Sequence, residues 1–441
     1  MPDDSAAKFD QGLALILEAV AERASISTPP LDESSMRAEL AELALLRGRP
    51  AFFPYLGSGI GRGARAMQAD GRWVIDLALG IGVHLFGHGN PDLIATAIRA
   101  AASDVVMQGN LIYNREYVAL MRTLIAHAPA GMTNCWLSLS GADANENALK
   151  LVRQRRGGRP GIIAFQHCFH GRTSAMAEIT DRPDYRLGQP SPFPVHYVPF
   201  YDRQDLASIE KSLDGLRAII RDHGDDISSF IVELVQGEGG FVTAPREFFV
   251  TLFDECRRAG IVVWIDEVQT FARTPELFAT DWLRLAEYPD VITIGKVFQG
   301  SALLMREGFT PDPGLLSGTY AGATVAMAVA IRIFEKLTTE GFFGPEGRIQ
   351  RLQSMARAYV ERLAQSHPGR ISHIDGAGLM IAFRLGDGSL RVTREFIDRC
   401  FSAGLALYYG GHAPACIRLF LPVVITDEEL AEAFAIIDRC L

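Results

Sequence analysis

Lys296 follows Val291-Ile292-Thr293-Ile294-Gly295: four apolar or β-branched residues that read as a short buried strand, then a glycine that turns the chain. A lysine so placed is either a solvated loop charge or a nucleophile held over a cleft, and by itself the loop charge is the commoner case. A second apolar run, Ile261-Val262-Val263-Trp264-Ile265, ends in the acidic pair Asp266-Glu267. Two core strands that bring an amine and a carboxylate to the same carboxyl edge of an open α/β sheet describe a cofactor site, because ligands of such sheets bind there. The chemistry that uses this pair is that of pyridoxal phosphate. A lysine amine forms a Schiff base with the cofactor aldehyde, and a buried carboxylate keeps the pyridine nitrogen protonated so that the ring can accept electrons.

Asp266-Glu267-Val268-Gln269-Thr270, followed by Pro289-Asp290 and the run to Lys296, resembles the class III (ω-type) aminotransferases. These fold-type I pyridoxal phosphate enzymes include the acetylornithine, ornithine and γ-aminobutyrate aminotransferases. The similarity runs from about Gly63 to the C-terminus. It implies that Lys296 and Asp266 are catalytic, that Gln269 bonds the ring hydroxyl, and that Val268 covers one ring face.

Strand-like Cys135-Trp136-Leu137-Ser138-Leu139 leads into Ser140-Gly141-Ala142-Asp143-Ala144-Asn145-Glu146 and a helix through Ala148, Leu149, Leu151 and Val152. Small residues opening a helix present free N–H groups at the positive end of its dipole, which suits a phosphate; a plain capping turn fits the local pattern equally well. The resemblance implies that Gly141 and Ala142 carry the cofactor phosphate, with Asp143 in place of a more usual Glu. A buried run, Ile162-Ile163-Ala164-Phe165, precedes His167-Cys168-Phe169-His170-Gly171-Arg172-Thr173. Two histidines flanking a cysteine invite a metal reading, but spacing so tight on a loop, with no other ligand cluster nearby, leaves no metal expected. The resemblance assigns Phe169 to the second ring face and Arg172 to a substrate carboxylate.

The apolar run Ile231 to Gln236 reads as another strand with a glycine-rich exit, Gly237-Glu238-Gly239-Gly240, and Leu234 stands where the family commonly has proline. In ornithine- and γ-aminobutyrate-type relatives a glutamate in this turn covers an arginine and swings away for 2-oxoglutarate. The resemblance places Glu238 and Arg418 in those roles; without it both read as ordinary surface charges. It also implies a homodimer in which Thr319, in Ser317-Gly318-Thr319-Tyr320-Ala321-Gly322, reaches the neighbouring active site. Departures cluster around these motifs. One glycine is missing after Gln269-Thr270, Val297 to Ala302 has fewer glycines than usual, and Ala323-Thr324 replaces an Asn-Pro. Residues 50–60 and 80–86 line the family's pocket and here offer few polar side chains, Tyr55, Ser58 and His84.

Strands and helices alternate from residue 134 to 296, which predicts an α/β fold with a mainly parallel sheet and helices on both faces. Arg246 to Arg258 has Phe249, Leu252, Phe253 and Cys256 on one helical face, with Gly260 as its stop. Gly59-Ile60-Gly61-Arg62-Gly63-Ala64 is no dinucleotide fingerprint, because Ala69-Asp70-Gly71-Arg72 and an apolar run follow it, a hairpin turn. The resemblance implies that Gly87-His88-Gly89-Asn90-Pro91 opens a helix leading into the large domain, with His88 structural. The expected organisation is an N-terminal segment 1–75 contributing to a small domain and dimer contacts, a large cofactor domain 76–335, and a C-terminal part 336–441. That last part completes the smaller α+β domain with a helix Arg348 to Leu363, strands Met380–Phe383 and Ile417–Phe420, and a final helix from Asp427. An amphipathic helix from Phe9 to Ala24, ended by Thr28-Pro29-Pro30, should lead the chain.

The 441 residues carry a net charge of −9 without basic clusters, which argues against nucleic acid or an anionic membrane. Six scattered cysteines without a CxxC suggest reduced thiols, and the N-terminus does not resemble a signal peptide, so the expected location is cytoplasmic. The implied reaction moves an amino group from an ω-amine or amino acid donor to a keto acid such as 2-oxoglutarate by a ping-pong mechanism. An aminomutase, a racemase or a non-catalytic cofactor-binding relative would share the same cofactor motifs.

Overall fold

The computed structural model describes residues 4–22, 30–53, 55–103, 111–411 and 414–441. Its largest sheet has seven strands, in spatial order Met132–Ser138, Ser301–Arg306, Val291–Ile294, Val262–Glu267, Ile227–Val232, Gly161–Phe165 and Val195–Val198. Every pairing from Val291–Ile294 to Val195–Val198 is parallel, while Ser301–Arg306 runs antiparallel to both neighbours. Alternate residues of the strands enter two separate cores. Val263, Ile265, Ile163 and Phe165 pack with Phe249, Leu252, Phe253 and Cys256 of the helix Arg246–Ala259. Val262, Trp264, Ile162 and Ala164 pack with Ala148, Leu149, Leu151 and Val152 of the helix Gly141–Arg155. Helices on both faces bury the strands on both sides, which is why the runs are continuously apolar.

Parallel register then positions the chemistry. Asp266 pairs with Thr293 and Glu267 with Ile294, so Asp266 and Lys296 leave the same carboxyl edge of adjacent strands. The two acids point to opposite faces because side chains alternate. Glu267 turns away from the site and accepts the amides of Ala279 and Thr280 and the hydroxyls of Thr280 and Thr270, at 2.6–3.0 Å.

Two expectations need correction. The apolar run Ile231 to Gln236 is not one strand. The strand ends at Val232, Glu233 leaves it, and Val235–Gln236 pairs instead with Val242–Thr243. The stretch after Lys296 also holds the unexpected strand Ser301–Arg306. At the N-terminus the helix spans Asp4–Glu22, and Thr28 and Pro29, at which it was expected to stop, lie outside the described residues.

The remaining sheets join chain ends. Gly57–Arg62, Arg65–Gln68 and Trp73–Asp76 form an antiparallel set to which Leu405–Ala406 adds in parallel. The glycine-rich stretch is thus a strand, and the Asp70-Gly71 turn joins the next two, with Gly71 at φ 84°. Ile371–Ala377, Met380–Leu385, Cys416–Phe420 and Tyr408–Gly410 form an antiparallel sheet, accompanied by the helices Arg348–Ser366, Leu390–Ser402 and Asp427–Cys440. Residue 76 lies inside the strand Trp73–Asp76 and residue 335 inside the helix Thr324–Thr339, so both expected divisions cut through regular elements. His88 bonds Asp76 at 2.9 Å, and Asn90 caps the helix Pro91–Ala101.

Candidate active site

A cavity of about 650 Å³ opens at the carboxyl edge of the large sheet. Lys296, Asp266, Gly141, Ala142, Phe169, Val268, Gln269 and Arg172 all line it. Lys296 begins a single 3₁₀ turn in the left-handed region, φ 53°. Burial, reinforced by the Arg273 and Arg418 guanidiniums, pulls its amine down to about 7 against the carboxylates of Glu238 and Asp266. Near neutral pH such an amine is a competent nucleophile.

Asp266 is held from three sides. Its Oδ2 accepts Asn145 Nδ2 and His170 Nδ1, each at 2.8 Å, and its Oδ1 accepts the Val268 amide at 2.9 Å. Asn145 is itself fixed, since its Oδ1 accepts the Thr293 hydroxyl at 2.6 Å and its Nδ2 also donates to the His170 carbonyl. Burial opposes a charge on His170, but the Cys168 sulfur and the Asp266 carboxylate outweigh it and hold the imidazole well above its ordinary range. Such a carboxylate can keep a cationic partner charged inside a dry site.

The helix Gly141–Arg155 starts at the cavity floor. Ser140 Oγ accepts the Asp143 amide, and Asp143 turns back to accept the Leu139 amide at 2.9 Å. Asp143 thus closes the turn that leads into the helix, and the N–H groups of Gly141 and Ala142 have no acceptor among the described residues. Only glycine fits at 141, because a Cβ there would stand 2.5 Å from Val268 Cγ1. Phe169 and Val268 both face the cavity, and Gln269 Oε1, His170 Nε2 and Ser301 Oγ are buried without a partner among the described residues. A bare anion cradle, an apolar pair of walls and unpaired polar atoms beside a held carboxylate fit pyridoxal phosphate.

The Glu238–Arg418 pair forms. Arg418 Nη2 lies 2.7 Å from Glu238 Oε1, its Nη1 donates to the Gly237 carbonyl at 2.9 Å, and the guanidinium is fully buried beside Phe241, Tyr408 and Phe420. Arg172 is exposed at the rim, its guanidinium 4.2 Å from the Tyr185 ring centroid and bonded to the Tyr185 hydroxyl. Thr319 is not brought to the cavity; it lies exposed in a turn. Of the described residues 50–60 none lines the cavity: Tyr55 stacks on Phe401 and Ser58 bonds the Met67 carbonyl. Val83 and His84 do line it.

Residues 58–441 match the family described as aminotransferase class-III. The chain belongs to the class-III aminotransferases. It is 33% identical over 403 residues to a 2-aminoadipate transaminase of Pseudomonas putida, covering 86% of this chain and 94% of that protein. A 4-aminobutyrate aminotransferase of Mycobacterium leprae is 33% identical over 405 residues, covering 85% and 88%. Among solved structures, a Bacillus anthracis aminotransferase superposes with a TM-score of 0.84 at 20% identity, over 93% of this chain and 99% of that one. A lysine aminotransferase of M. tuberculosis superposes with a TM-score of 0.81 at 23% identity, over 91% and 99%. This aminotransferase is therefore an α/β fold-type I enzyme whose cofactor is pyridoxal 5′-phosphate. Among the described residues, no helix is long and apolar enough to cross a membrane.

Sequence reasoning gave no role to Asn145, Glu233, Arg273 and Gln299, and weighed His170 only as a metal ligand. Asn145 stands three residues after Ala142, on the same helical face, and that spacing was a usable signal. Glu233 interrupts an apolar run, and an acid inside a buried strand rarely lacks a reason. The glycine-poor departures leave backbone strain: Ala272 and Gln299 sit at φ 58° and 55°, where glycine costs less.

Proposed function

We propose that this aminotransferase moves an amino group from an ω-amine or amino acid donor to a dicarboxylic keto acid such as 2-oxoglutarate, in two half-reactions that share one cavity. The observation that carries this reading is the 2.7 Å Glu238–Arg418 pair, whose two charges both act on the Lys296 amine. A dicarboxylate needs a fixed cation, whereas a donor without a nearby carboxylate needs that cation covered, and one movable glutamate meets both demands. The names of the relatives, 2-aminoadipate transaminase and 4-aminobutyrate aminotransferase among them, support substrates that carry both an amine and a carboxylate.

Bound pyridoxal phosphate supplies the electron sink that makes the substrate C–H bond acidic. In the proposed assignment Lys296 anchors the cofactor and, once freed, holds and moves the proton on its Nζ. Asp266 keeps the ring nitrogen charged, Gly141 and Ala142 bind the phosphate, Phe169 and Val268 cover the ring, and Gln269 bonds the ring hydroxyl. Arg172 takes the distal carboxylate of the substrate. In a homodimer the exposed Thr319 would serve the neighbouring subunit's phosphate, and six cysteines in free form suit a cytoplasmic enzyme.

A single-turnover screen tests the reading. The yellow holoenzyme is mixed with candidate amines and then with keto acids, and absorbance is followed. Donors should bleach the band and 2-oxoglutarate should restore it. Racemisation or amine migration without bleaching would move the assignment to an aminomutase or racemase.

A further inference from the structure

Glu233 is the buried acid that none of these roles uses. It is 4% exposed, lines the cavity, and sits where the strand Ile227–Val232 gives way to the short hairpin. Its two oxygens serve two different walls. Oε2 accepts the amide of Phe169 at 2.9 Å, and Oε1 accepts the amide of Gly237 at 3.1 Å. Phe169 is the aromatic wall. Gly237 opens the turn that carries Glu238, and its carbonyl is the acceptor of Arg418 Nη1. A continuous chain of hydrogen bonds thus runs from the Phe169 backbone through one carboxylate to the arginine pair. Gly237 also packs tightly against Gln269, since a Cβ on it would meet the Gln269 amide group at 2.4 Å.

We propose that Glu233 is a positioning residue for transamination: its carboxylate ties the Phe169 wall to the Gly237–Glu238 turn, so that ring cover and substrate-side pair are set together. The inference rests on the reading of this cavity as the cofactor site. Only the ionised carboxylate can accept both amides well. A protonated carboxyl keeps one good acceptor, and its O–H turns a donor toward the second N–H. Protonation therefore releases one wall.

That release falls in an accessible range. Burial pushes Glu233 up to about 7, with the Asp266 carboxylate adding to the rise and the His170 imidazolium and the two amides opposing it. Other charges stand nearby: Glu238 follows Gly237 directly, Arg418 holds the Gly237 carbonyl, Lys296 lines the same cavity, and the Arg172 guanidinium lies 5.9 Å from the Phe169 ring centroid. The tie is complete above pH 7 and is lost as pH falls through it.

The test uses holoenzyme and both half-reactions. Glu233→Gln offers one acceptor and one donor at the same place, so it should retain the cofactor absorbance band but lower kcat/KM for both half-reactions by about one to two orders of magnitude. A neutral amide cannot titrate, so the fall in kcat/KM below pH 7 should flatten in Glu233→Gln and remain in Glu233→Asp. The same acidic limb and midpoint in wild type and Glu233→Gln would overturn the proposal. Should Glu233→Gln not fold, hydrogen exchange on the wild-type holoenzyme decides. Protection of one of the two amides, Phe169 or Gly237, should fall below pH 7, while the His170 amide, held by the Thr180 hydroxyl, keeps its protection. Protection independent of pH between 5.5 and 8.5 would equally overturn it. An enzyme that holds no cofactor would instead refute the function proposed above and would be seen first, in the absorbance of the wild type.

Discussion

Removing the Glu238 carboxylate should separate the two half-reactions. Arg418 has no exposed surface, and the Glu238 side chain is 17% exposed. At their 2.7 Å separation, an effective dielectric of about 20 gives roughly 6 kcal/mol of attraction as an upper bound. Glu238 is partly open to solvent, and Arg418 keeps the Gly237 carbonyl and three aromatic rings, so Glu238→Ala should cost nearer 3 kcal/mol, the lower end for breaking a buried pair. That penalty applies only while nothing anionic meets Arg418. A donor lacking a nearby carboxylate should react about 100-fold more slowly, whereas glutamate, whose carboxylate replaces Glu238, should react faster. Arg418→Ala should do the reverse, weakening 2-oxoglutarate binding and sparing the ω-amine donor. Rapid-mixing absorbance on each half-reaction separately measures both. Parallel changes in the two half-reactions would refute the movable-pair argument.

Lys296→Ala should still take up cofactor, because the phosphate and ring contacts remain, and should lose steady-state turnover by several orders of magnitude; near-normal turnover would exclude Lys296 as the essential amine. Asp266→Asn keeps the Asn145 contact but loses the charge, so the proton-transfer half-reaction should fall severely with only modest loss of cofactor affinity, measured by rapid mixing and equilibrium titration. Covalent attachment of cofactor to the apoenzyme, read by absorbance, should follow the Lys296 amine, lowered from 10.5 to about 7. At pH 7 about half of it is neutral, against roughly 1 in 3,000 for an ordinary lysine, so attachment should rise up to about pH 7–8 and then level. A rise continuing to pH 10 contradicts that environment. The unfolded chain binds more protons than the folded one between pH 7 and 10.5, so this group makes apoenzyme stability increase with pH across that window. Lys296→Ala should remove that increase in thermal unfolding.

Much of the site was legible because its chemistry is tied to strand ends. Continuous apolar runs ending in Asp266 and shortly before Lys296 read as doubly covered strands of a parallel sheet, and such strands deliver their next residues to one edge. The Gly141 helix start and the Arg246–Ala259 helix could be read the same way, from small residues and a 3.6-residue period, whereas the role of Phe169 came from family resemblance. The pairing of Glu238 with Arg418 came from family resemblance, since 180 residues separate them and no local pattern links them.

The tertiary structure alone decided the rest. Strand Ser301–Arg306 exists because two neighbours, Val291–Ile294 and Met132–Ser138, offer it antiparallel ladders, and its own sequence, following a glycine-poor turn, did not announce it. The run from Ile231 to Gln236 breaks where the Glu233 carboxylate finds the amides of Phe169 and Gly237, one of them 64 residues away. Asn145 and His170 become partners of Asp266 only when a helix start and a loop converge on that strand end. By itself the sequence determined which residues could be strands, caps and reactive groups, because those depend on local periodicity and side-chain chemistry. Which polar groups meet depended on long-range packing, where a buried donor or acceptor takes whatever partner the fold brings near.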